Sequence, residues 1–78
     1  MLYDFKINTE RIMFADHYYE SAKDKTNPFR VQLAKTALYE YNKAADELVK
    51  YDEWEKYKED HLKDLPEKTK YLKSIIKS

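Results

Sequence analysis

Apolar and polar positions alternate most regularly between Asn27 and Lys50, NPFRVQLAKTALYEYNKAADELVK. At 100° per residue, Val31, Leu33, Ala34, Ala37, Leu38, Tyr41, Ala44, Ala45, Leu48 and Val49 fall within one arc of roughly 160°. Gln32, Lys35, Thr36, Glu40, Lys43, Asp46, Glu47 and Lys50 occupy the other side. The pattern predicts an amphipathic helix over residues 28–50, about 35 Å long. Asn27 is placed to cap it, and Pro28 sits where a missing N–H costs nothing.

A second helix is expected over residues 9–25, capped by Asn8 or Thr9. Its apolar side carries Ile12, Phe14, Ala15, Tyr18, Tyr19 and Ala22, with Arg11 inside that arc. The polar linker SAKDKTN is short, so these two helices should lie antiparallel. Ahead of them, LYDFKI places Tyr3, Phe5 and Ile7 on one side. That alternation reads as an extended N-terminal arm, or as a short strand in search of a partner.

After Lys50 the pattern changes phase. Trp54, Tyr57, His61 and Leu65 recur at helical spacing, but their direction is turned well away from the preceding stripe. A straight helix cannot aim both stripes at one core. A break near Tyr51–Glu53 and a third helix over 53–63 are therefore expected, with Asp52-x-x-Glu55 as the capping signal. The lack of Gly or Pro at that point leaves one continuous helix as the other reading. Asp64-x-Pro66-Glu67 opens a last helix over 65–76, with Tyr71, Leu72, Ile75 and Ile76 as its apolar side. The expected fold is all-α: residues 1–78 form one small bundle of three to four helices around the central amphipathic one, with a short N-terminal arm.

Size makes such a core marginal, and without cysteine no disulfide or thiolate metal site can supplement it. Close helix packing or self-association is the remaining remedy. Lys+Arg and Asp+Glu both number 15, so no global field steers the chain towards nucleic acid or an anionic membrane. No apolar run is long enough to span a bilayer, and MLYDFKINTE lacks the regions of a signal peptide, so a cytoplasmic location is expected. Glycine is absent and lysine greatly outnumbers arginine. That bias fits an AT-rich coding sequence, such as a phage or mobile element of a low-GC host.

Candidate chemistry is sparse. Asp16-His17-x-x-Glu20 puts His17 and Glu20 one turn apart, but helical di-iron sites use repeated Glu-x-x-His, so no metal or cofactor is expected. The serines, Ser21, Ser74 and Ser78, lie in a linker or the tail, and the acids follow helix surfaces. The sequence therefore predicts a non-enzyme.

Charge is uneven in the back half. Residues 46–64 carry eight acids against four lysines, and residues 65–78 four lysines against one glutamate; the plain reading is that these segments pair.

Twelve aromatics exceed what so small a core can hide, and Phe29, Tyr39, Tyr51 and Tyr57 fall off the main stripe. Tyr and Trp concentrate binding energy at interface centres. The expected function is accordingly a protein-binding inhibitor or adaptor of a larger protein partner, and by analogy a host defence or nucleic-acid-processing machine. Its contact site is expected at Trp54, Tyr57, Glu53, Asp60, His61 and Tyr51. Val31, Ala34, Leu38, Tyr41, Ala45 and Leu48 form a seam at 3-4 spacing, whose larger members Val31, Leu38, Tyr41 and Leu48 suit a homodimer. Lys68, Lys70, Lys73 and Lys77 offer an alternative, a nucleic-acid-binding tail. Acids mixed into the central helix's polar face and the scarcity of arginine argue against that alternative. A further alternative is a helical oligomer sequestering a small anionic ligand.

Overall fold

A computed structural model describes residues 2–77, with side chains from Phe5 to Lys77. The elements are α1 (Leu2–Ala22), α2 (Arg30–Leu48), α3 (Glu53–His61) and α4 (Leu65–Lys77). The fold is a small all-α bundle, 40 × 20 × 17 Å in extent. α1 and α2 form an antiparallel hairpin that makes the main interface, and α4 packs mostly on α2.

The central helix buries Ala34, Ala37, Tyr41, Ala44 and Leu48 and leaves Val31 and Val49, which share one edge of the arc, exposed. Alanine at three of the five buried positions of α2, met by Ala15 and Ala22 of α1, lets the two backbones approach closely. Ile12 of α1 and Leu72 and Ile75 of α4 fill the remaining space. Each buried Leu or Ile contributes roughly 1.5–3 kcal/mol over its exposed state.

Several local expectations change. From Phe5 onward the segment anticipated as arm or strand is helix, because α1 begins at Leu2. Asn8 is buried and Thr9 donates its hydroxyl proton to the Lys6 carbonyl at 2.8 Å, so neither caps a helix start. The reason is tertiary: Phe5 meets Tyr51 and Tyr57 edge-on, at 5.5 and 5.8 Å between centroids, which rewards another helical turn. Side chains of residues 1–4, Tyr3 among them, lie outside the described residues.

Asn27 acts one step early. Its Oδ1 accepts from the Phe29 amide at 2.8 Å, and the helix starts at Arg30, not Pro28. The break after α2 falls where the phase changes. Tyr51 donates its amide to Leu48 at 3.0 Å and Trp54 to Tyr51 at 3.1 Å, turning the chain with no positive φ. Asp52, however, has helical φ and ψ and makes no side-chain cap bond. The turn is set by where Trp54 must be buried and not by a capping box.

Candidate functional site

α3 is short and amphipathic. Trp54 turns into the core at 4% exposure, and Tyr57 half-buries one turn later, stacked on it with centroids 6.2 Å apart. Phe5 closes the other side of Tyr57. Together with Glu53, Lys56, Asp60 and His61 they line an open groove of about 220 Å³ between α3 and the start of α1. Phe5 and Tyr57 form its apolar floor; Glu53 and Asp60 lie on the same side of α3, seven residues or two turns apart. Burial, with the charge of Asp16 as a smaller cause, raises the Tyr57 phenol above its ordinary value, so the ring stays neutral.

Of the six residues expected at a contact site, four reach the surface here: Glu53, Tyr57, Asp60 and His61. Trp54 is a correction, since it is a core residue and cannot be presented to a partner. Tyr51 is half-buried against Phe5 and lies outside the groove lining. His61 is exposed at the end of α3, its ring 4.9 Å from that of Tyr57.

The seam proposed for self-association is also corrected. Tyr41 and Leu48 are fully buried and Leu38 is half-buried, because α1 and α4 occupy that side of α2; only Val31 is exposed. In the basic tail, Lys68 is diverted: its Nζ lies 3.1 Å from Asp16 Oδ1 and 5.2 Å from the Tyr19 ring. Lys70, Lys73 and Lys77 are exposed along one side of α4 and make no ion pair among the described residues. The expected mutual pairing of the acidic and basic segments does not occur among the described residues. Lys58 instead pairs with Glu55 inside α3, at 3.3 Å.

A polar cluster across α1, α2 and α4 went unread in the sequence. Asp16 accepts a hydrogen bond from the Tyr41 hydroxyl as well as the Lys68 contact. Burial, then this bond to Asp16, pushes the Tyr41 phenol well above its ordinary value. Nearby, Arg30 donates from Nε to the Ala22 carbonyl at 2.8 Å and from Nη2 to the Tyr71 hydroxyl at 3.0 Å. This satisfies a carbonyl at the end of α1, because the Thr26 amide four residues ahead donates to Asp24 Oδ1 instead. The cluster ties three helices together. Its one legible signal was Asp16 one turn from Tyr19, at the border of the apolar arc.

No group of three or more metal-binding side chains stands together among the described residues. No helix among them is long and apolar enough to cross a membrane. Comparison with protein-family models, with curated proteins and with solved structures finds no match.

Proposed function

We propose that the chain is a non-catalytic protein-binding module, an inhibitor or adaptor that docks a larger protein through the α3 groove. The observation that supports this reading is the groove's composition: an aromatic floor of Phe5 and Tyr57 flanked by the carboxylates of Glu53 and Asp60. Those carboxylates sit about 10.5 Å apart along the helix, matching cationic residues at the same spacing on a partner helix. Lys56 moderates the negative field. Affinity must therefore come mainly from an apolar or cation–π anchor on the floor, with the acids setting orientation. The target class suggested by composition, a host defence or nucleic-acid-processing machine, remains part of this proposal.

The test is titration with a lysine-rich amphipathic peptide, read by the fluorescence of Trp54, the chain's single tryptophan. Saturable quenching is expected. Replacing Glu53→Lys with Asp60→Lys should weaken it at least about tenfold, since the contact loses two charge pairs and gains repulsion, while circular dichroism stays unchanged. Equal affinity in that variant refutes the site.

One observation favours a second reading. Lys70, Lys73 and Lys77 share an exposed stripe on α4 that could track a phosphate backbone. Three phosphate contacts correspond to a slope of log affinity on log salt of about −2.7. A duplex titration with and without Lys70→Gln and Lys73→Gln separates this from the protein-binding reading.

A further inference from the structure

The polar ties of the bundle join three of its four helices. Asp16 of α1 holds Tyr41 of α2 and Lys68 of α4. Arg30 holds the Ala22 carbonyl and the Tyr71 hydroxyl, and Arg11 of α1 pairs with Glu40 of α2 at 3.2 Å. α3 is attached differently. Among the described residues, its charged side chains make one ion pair, Lys58 with Glu55, and one cation–π contact, Lys58 over Trp54 at 5.4 Å. Both stay inside α3. The contacts that seat it on the other helices are apolar: Trp54 enters the core, and Tyr57 meets Phe5 edge-on.

Without α3 the rest of the bundle is nearly complete. Ten of the eleven buried apolar residues belong to α1, α2 and α4, and Trp54 is the eleventh. α4 keeps its own seat on α2 through Leu72, Ile75 and the bond from Arg30 to Tyr71. The chain enters and leaves α3 by turns of mostly exposed residues, 49–52 and 62–64, and an open groove of about 220 Å³ already separates α3 from the start of α1. At nine residues α3 is too short to persist as a helix by itself, so unseating and unravelling are one event. We propose that α3 is a hinged flap: residues 53–61 unseat as a unit from a folded body of α1, α2 and α4, with Trp54 as the latch.

The energetic logic is one of unequal loss. Unseating gives up the burial of Trp54 and the Tyr57–Phe5 contact, and the freedom regained by the nine residues of α3 offsets part of that. Global unfolding gives up the other ten buried apolar residues and every polar tie as well. The flap therefore opens more often than the body. Opening also gates the candidate site. Phe5 is the α1 contribution to the groove and the remaining lining residues belong to α3, so the groove exists only while the flap is seated. The flap itself is a property of the free chain, and its test needs no ligand, so its outcome is independent of the protein-binding reading.

The test is native-state amide hydrogen exchange on the full chain, followed residue by residue. Amides of residues 57–61 should share one opening equilibrium and exchange at least about tenfold faster than the slowest amides of α2. Two substitutions then separate the flap from the body. Tyr41→Phe removes a tie that the unseated state keeps, so it should speed the slowest α2 amides about fivefold and leave those of α3 unchanged. Trp54→Phe weakens the latch while keeping a ring in the core, and should speed the α3 amides about tenfold. Phe5→Leu, which thins the contact from the other side, should act in the same direction. If α3 merely frays amide by amide, Trp54→Phe and Phe5→Leu leave its exchange unmoved. That result, or α3 amides that exchange as slowly as those of α2, or equal acceleration of both helices by Tyr41→Phe, overturns the inference.

Discussion

Tyr41→Phe isolates the polar cluster that ties α1 to α2 and α4. The substitution keeps the ring, which is 1% exposed, and removes only the hydroxyl that donates to Asp16. A hydrogen bond to a charged group contributes about 1.5–3 kcal/mol. The Asp16 side chain is 40% exposed and keeps Lys68 at 3.1 Å, so water and lysine recover part of that. The expected loss is about 1 kcal/mol, a fall of roughly 4–8 °C in Tm for a domain of this size.

The assay is urea unfolding followed by circular dichroism, run as a double-mutant cycle with Asp16→Ala. The two losses should fail to add by at least about 0.5 kcal/mol, because each change removes the same bond. The cycle also carries a pH signature. The folded Tyr41 phenol holds its proton well above the ordinary value of 10.0. Once pH rises past that value the unfolded chain binds fewer protons than the native one, and stability falls. Below pH 10 this contribution is fully present; above it, wild type loses stability more steeply than Tyr41→Phe. Additive losses, or parallel alkaline limbs for the two proteins, would refute this account of the cluster.

Other substitutions test the remaining structure. Trp54→Ala should cost about 3–5 kcal/mol as a core truncation, a loss large enough to appear directly in thermal melts; an unchanged Tm would return Trp54 to the surface. Arg30→Met removes both the Ala22 carbonyl contact and the Tyr71 contact and should destabilise by about 1–3 kcal/mol, with the end of α1 gaining amide exchange first. By contrast, Lys70→Gln with Lys73→Gln should stay within about 0.5 kcal/mol of wild type, as neither lysine has an ion pair among the described residues.

The all-α class and the break after α2 were legible from periodicity, and the antiparallel hairpin from the short linker between its helices. Helical spacing states which residues share a face, and the phase change at Trp54 means one straight helix over residues 28–63 could not aim both stripes at one core. What periodicity leaves open is which part of an apolar arc another element covers. Phe14 and Tyr41 both belong to such arcs; Phe14 stands exposed at the edge nearest Glu40, while Tyr41 lies between α1 and α4. Trp54 looked like a contact residue because the stripe it leads points away from the central helix. Only the turn at Tyr51 redirects it into the core. The start of α1 and the pairing of Lys68 with Asp16 were decided the same way, by partners 46 to 52 positions away in the chain. Local propensity ranks backbone conformations residue by residue. Contacts between distant side chains, each contributing about a kilocalorie, then select among them.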